Sequence, residues 1–135
     1  MKSSFPVFVV RNLDAAKAFY TEHFGFDVSF AGDWYVQLVS ESGVQVGFLL
    51  PDQPTQPPIF RKAYAGEGAI FSLEVDDADA AFAAAQSSAL EVVLELRSED
   101  WGQRHFSLRD PNGVHLDTVQ SSDPSEEYQS GYVAG

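Results

Sequence analysis

The chain has 135 residues and a formal net charge of −12, from 20 acidic side chains against 8 basic ones. That balance excludes nucleic acid and anionic membrane surfaces as partners, because both need basic surface. There is no cysteine, so disulfides, thiolate metal sites and a cysteine nucleophile are excluded, and no apolar run reaches the length of a membrane span.

With 44% hydrophobic and 13% aromatic residues the chain reads as one globular domain. The start MKSSFPVF has no basic segment followed by an apolar one, so the expected location is the cytoplasm. The acidic excess favours solubility first and a cationic ligand second.

In chain order, Phe5–Val10 is a short apolar strand. Leu13–Phe24 follows with Leu13, Ala16, Phe19, Tyr20 and Phe24 at helical spacing, Asn12 as N-cap and Gly25 just past its end. Strands are expected near 26–31, 34–40 and 43–50. PDQPTQPPIFRKAYAGEG is rich in proline and glycine and reads as a linker over 51–67. A second strand, Ile70–Val75, leads to a helix over Ala78–Ser87 capped by Asp77, then to strands near 91–97, 104–109 and 113–120. SSDPSEEYQSGYVAG reads as a flexible acidic tail over 121–135.

The order strand, helix, three strands occurs twice, and the residues repeat with it. VVRNLDAAKAF from Val9 aligns with EVDDADAAFAA from Glu74 at an offset of 65, and ESGVQVGF from Glu41 aligns with PNGVHLDT from Pro111 at an offset of 70. The change of offset implies five extra residues inside the second copy. The predicted fold class is therefore α+β, two βαβββ modules (5–50 and 68–120) within one domain of residues 1–120, forming a half-open mixed sheet.

RDPNGV fixes the last hairpin. Pro111 and Asn112 suit the central turn positions and Gly113 a left-handed bulge, which pairs Leu108 with Leu116, Phe106 with Thr118, Ser107 with Asp117 and His105 with Val119. SESGV sets the same register in the first copy, with Val36, Leu38, Val46 and Phe48 on the core face and Tyr35, Gln37, Gln45, Gly47 and Leu49 on the other. Phe71, Leu73 and Val75 go under the second helix, while Ile70, Ser72 and Glu74 go outward.

NLDAAKAFYTEHFGF and DPNGVHLD resemble the opening and closing signatures of the vicinal oxygen chelate (glyoxalase/bleomycin-resistance/dioxygenase) superfamily. WGQRHFSLRDPNG, Trp101 to Gly113, resembles its metal-free bleomycin-resistance branch most. The resemblance covers about residues 5–120 and speaks to fold more than to reaction. In the metalloenzymes of this superfamily one ligand stands on the first and one on the last strand of each module. Carried onto this chain, those positions are Phe5, Gly47, Ile70 and Asp117. Three of the four have no side chain able to bind a cation, so the expectation is no metal and no cofactor. His105 and His115 share a face with Asp117, which leaves a His/Asp ion site or polar pocket lining as alternatives; His23 reads as a surface residue near a helix end.

The resemblance implies a small-molecule-binding protein, of the kind that sequesters an antibiotic, with a cationic or aromatic ligand. The expected ligand-binding residues are Phe5, Tyr35, Gln37, Gly47, Ile70, Glu74, Trp101, His105, Ser107 and Asp117, with Trp34 and Phe60 open to either a core or a pocket role. The alternative is an enzyme of the same fold, a lyase, isomerase or dioxygenase, using a non-standard metal or acid–base chemistry by Glu74, Asp117 or His105. No nucleophile motif or phosphate loop is present. Outward Phe5, Val7, Leu49 and Ile70, and the dimers usual in this family, imply a homodimer.

Overall fold

A computed structural model describes residues 1–133. The elements run β1 (Val7–Val9), α1 (Leu13–Phe24), β2 (Asp27–Ala31), β3 (Tyr35–Val39), β4 (Gln45–Leu49), a single 3-10 turn at Pro58–Phe60, β5 (Phe71–Glu74), α2 (Ala78–Ser87), β6 (Glu91–Glu99), β7 (Gln103–Arg109), β8 (His115–Ser121) and α3 (Glu126–Gln129). The strands form two four-stranded mixed sheets, ordered β1-β4-β3-β2 and β5-β8-β7-β6, one for each βαβββ module of the expected α+β fold. The chain divides into two compact units, Met1–Glu67 with Asp110–Val114, and Gly68–Arg109 with His115–Gly135.

The two longer helices, α1 and α2, start where side chains can cap them. Asn12 accepts from the Ala15 N–H at 2.9 Å and Asp77 from the Ala80 N–H at 3.0 Å. Gly25, at φ 69°, ends α1 in the left-handed conformation that glycine adopts without steric cost.

Unit one packs α1 on its sheet. Val36, Leu38, Val46 and Phe48 are buried, as alternation requires, and Phe48 stacks on Tyr20 with centroids 5.1 Å apart. The tip of the β7–β8 hairpin belongs to this unit. There the buried Asp110 carboxylate accepts from the Asn112 N–H at 2.8 Å, the Val114 N–H at 2.9 Å and the Tyr20 hydroxyl at 2.7 Å. Burial raises the Asp110 carboxyl above its ordinary range, against the pull of those donors, and burial first and Asp110 second push the Tyr20 phenol up as well. Asn112 closes the same corner, accepting from the Asn12 N–H at 3.0 Å and donating to the Asn12 carbonyl at 2.9 Å.

Unit two repeats the scheme with α2 over Phe71, Leu73, Phe106, Leu108, Leu116 and Thr118. Its hairpin has the register expected from the turn, including Ser107 opposite Asp117 and His105 opposite Val119. The extra residues of the second copy lie in the longer strands: β6 has 9 residues against 5 in β2, and its pairing with β7 slips between Val92 and Leu94 and again between Leu94 and Arg97.

The segment 51–67 between the modules carries backbone bonds of its own: Asp52 N–H bonds the Arg61 carbonyl at 2.9 Å and Tyr64 N–H bonds the Val9 carbonyl at 2.8 Å. Of the segment 121–135, Ser122, Ser125 and Tyr132 bond the turn at 100–102, and 134–135 lie outside the described residues. Ser122 N–H reaches the Gly102 carbonyl and Ser125 N–H the Asp100 carbonyl, each at 2.8 Å, and the Tyr132 hydroxyl donates to the Trp101 carbonyl. Gly102 makes this approach possible. Its φ is 105°, and a Cβ there would stand 2.9 Å from the Ser122 carbonyl oxygen. A short polar sequence gives no periodic sign of such docking. Among the described residues no helix is long and apolar enough to cross a membrane.

Candidate functional site

The repeat places the same three sheet positions in both units, and they have diverged. In unit one they hold Tyr35, Gln37 and Gly47; at the offset of 70 unit two has His105, Ser107 and Asp117. Gln37 stands opposite Gly47, and Ser107 opposite Asp117.

In unit one the Tyr35 hydroxyl bonds the Gln37 side-chain oxygen, and Gln37 Nε2 donates to Gln45 Oε1 at 3.0 Å. These side chains fold over Gly47. A Cβ at Gly47 would collide with the Tyr35 hydroxyl and lie 2.9 Å from Tyr35 Cζ and 3.0 Å from Gln37 Oε1. The space that a ligating carboxylate would need is therefore already filled. Partial burial raises the Tyr35 phenol above its ordinary value, so it is a neutral donor at physiological pH.

The same face holds a pocket of about 520 Å³. Val7, Val9 and Leu49 form its floor on β1 and β4, Tyr35 on β3 and Trp34 just before it form one side, and Gln56 and Phe60 the other, from the Pro-rich segment. No charged side chain lines it. Of the expected ligand residues only Tyr35 lines this pocket directly; Gln37 and Gly47 stand behind it. Phe5 precedes β1 and is half exposed, outside the lining. Trp34 and Phe60, open to either role in the sequence, take the pocket role. Val9 and Gln56 were missed. Val9 was legible by alternation from Val7, but Gln56 lies in a turn-rich segment with no period to read. Leu49, expected outward and uncovered, is only 5% exposed because it forms the pocket floor.

In unit two the imidazole of His105 is held on both nitrogens. Nδ1 lies 2.8 and 3.0 Å from the Asp117 oxygens and Nε2 lies 2.8 Å from Glu99 Oε2. Ser107 donates to Asp117 at 3.2 Å, and Arg97 Nε to Glu99 at 2.9 Å. Burial works against charge on His105, yet the bonds to Glu99 and Asp117 outweigh it and hold the imidazole above its ordinary value of 6.5. The His105 bond, followed by Arg97, holds the Glu99 carboxyl below its own. The group is a closed network of Arg97, Glu99, His105, Ser107 and Asp117. His115 makes no bond to Asp117; Glu99, absent from the sequence expectation, completes the cluster instead. The bulges in β6 hid it, because they break the period that would place Glu99 beside His105. Trp101, 40% exposed, lies edge-on to His105 at 6.3 Å and to Tyr128 at 6.5 Å. Glu74 and Ile70 are exposed, Ile70 at 70%.

These residues do not fit the divalent metal of the metalloenzymes in this fold. Gly47 offers no donor and no room for one, Asp117 is committed to His105 and Ser107, and His105 has no free nitrogen. Among the described residues no three His, Cys, Asp or Glu side chains are placed to hold a metal ion.

Residues 4–118 match the profile of the Glyoxalase/Bleomycin resistance protein/Dioxygenase superfamily. No curated protein sequence matches significantly. Several solved structures share the fold. A glyoxalase/bleomycin resistance protein/dioxygenase from Nocardioides is 17% identical with a TM-score of 0.76, over 97% of this chain and 88% of that one. A lactoylglutathione lyase from Agrobacterium tumefaciens is 20% identical with a TM-score of 0.72, over 89% and 94%. A bleomycin resistance determinant encoded on the transposon Tn5 is 20% identical with a TM-score of 0.67, over 90% and 98%. At these identities the structures speak for the fold alone, and the profile match over most of the sequence decides the family: the chain belongs to the Glyoxalase/Bleomycin resistance protein/Dioxygenase superfamily.

Proposed function

We propose that the protein binds a small aromatic compound non-covalently and without a metal, in the pocket of unit one, as a sequestering protein of the bleomycin-resistance-like branch. The observation that carries this reading is the pocket itself. About 520 Å³ is enough for a drug-sized ring system, and three aromatic rings, Trp34, Tyr35 and Phe60, surround it with only Gln56 and the Tyr35 hydroxyl to orient a ligand. A neutral or cationic ligand suits it better than an anion. Aromatic faces attract cations, and a net charge of −12 draws them from a distance. Acid–base catalysis by His105 is disfavoured, because both ring nitrogens are engaged. We also infer a homodimer, since Phe5, Val7 and Ile70 remain exposed at 43%, 44% and 70%.

The test is fluorescence titration with N-phenyl-1-naphthylamine, an uncharged probe, in buffer containing EDTA. Saturable binding is expected, about tenfold weaker in Trp34→Ala, from the loss of one stacked ring and its buried area. The same chromophore carrying a sulfonate should bind more weakly. Equal affinity in Trp34→Ala, or dependence on an added metal, contradicts the reading.

A further inference from the structure

We propose that Arg61 is a positioning residue that shapes the ligand pocket without touching the ligand, by holding the Pro51–Phe60 arc against the sheet of unit one. This rests on the binding reading above. The arc supplies one wall of the pocket through Gln56 and Phe60, yet four of its ten residues, at positions 51, 54, 57 and 58, are proline and have no backbone N–H to donate. Its own backbone bonds are local: Gln56 N–H to the Gln53 carbonyl at 3.0 Å and Phe60 N–H to the Pro57 carbonyl at 2.9 Å. Asp52 turns the chain into the arc at φ 62°, an uncommon conformation for a residue other than glycine.

The guanidinium of Arg61 closes the arc from inside. Nε donates to the Gln56 carbonyl at 2.7 Å and a terminal nitrogen to the Pro54 carbonyl at 3.3 Å, one on each side of Thr55. Among the described residues Arg61 forms no ion pair, so its charge is directed to neutral carbonyls rather than to a carboxylate. A rigid fork with several donors in fixed directions can bridge two carbonyls at once, which an ammonium on a flexible stem does less well. Arg61 also fixes the base of the arc through its own backbone, whose carbonyl accepts from the Asp52 N–H at 2.9 Å. The backbone of Gln56, whose side chain faces the pocket, is the one that Arg61 grips most closely.

The experiment compares wild type, Arg61→Met, Arg61→Lys and Trp34→Ala in titrations with N-phenyl-1-naphthylamine, alongside urea unfolding without probe. The expected result is a loss of about tenfold in affinity for Arg61→Met, a smaller loss for Arg61→Lys, and urea midpoints close to wild type for both. Amide hydrogen exchange at Gln56 and Phe60 should accelerate in Arg61→Met. Wild-type affinity in Arg61→Met while Trp34→Ala is weakened overturns the role of Arg61 and leaves the pocket standing. A loss that tracks a lowered urea midpoint and is equal in Arg61→Lys also overturns it, as a general effect on folding. Failure of the wild type to bind the probe overturns the pocket reading and this inference with it.

Discussion

At the scale of single residues, divergence between repeats separates a pocket from an ion network. Tyr35 and His105 occupy equivalent positions, yet the diagonal neighbour on the adjacent strand decides what each can do. Gly47 leaves room for the tyrosine to lie over it and wall a cavity, whereas Asp117 captures the histidine and closes the site. The identity of these residues was legible in the sequence; the role of Glu99 was not, because it depends on a bulged strand. The network has a pH signature. His105 is held above its ordinary 6.5 in the folded chain, so it contributes stability that is fully present below that value and is lost as pH rises through the folded-state value. Glu99 is held low, so its contribution is fully present above its ordinary value of 4.5 and is lost as pH falls through the folded-state value. The urea midpoint of wild type should therefore decline from pH 6.5 upward. In His105→Gln the decline should flatten, and an equal slope in both proteins would contradict the assignment.

At the scale of elements, helices and registers were readable because each obeys a period or a turn rule. Asn12, Gly25, Asp77 and Gly113 mark boundaries by what their side chains or φ angles permit. The hairpin sequence DPNG, which carries the family resemblance, turns out to be structural in this chain. Asp110 accepts from two backbone amides of its own turn and from the Tyr20 hydroxyl of α1, while Asn112 pairs with the Asn12 backbone. Asp110→Ala removes a buried acceptor from three donors and should cost about 2–4 kcal/mol in urea unfolding. A change near zero would show that the corner does not depend on it. The bonds of the Pro-rich arc and of the C-terminal segment were not legible, for the opposite reason. Their order comes from side-chain clamps at Arg61 and from a glycine at 102 that admits a second backbone, and neither leaves a periodic trace.

At the scale of the whole molecule, charge and exposed apolar surface set the expectations. For the proposed dimer, sedimentation at micromolar concentration should give about twice 14.8 kDa, and a strict monomer would leave exposed Phe5 and Ile70 without a role. Salt should weaken capture of cationic aromatic compounds by slowing their approach, while leaving uncharged ones unaffected, since the pocket lining carries no charge. The central claim, an uncharged aromatic site in unit one, is tested most directly by mapping amide chemical shifts of labelled protein during titration with N-phenyl-1-naphthylamine. The account predicts shifts concentrated at Val9, Trp34, Tyr35, Leu49, Gln56 and Phe60, saturating together at one affinity. Shifts centred instead on Trp101, His105 and Asp117 would contradict it.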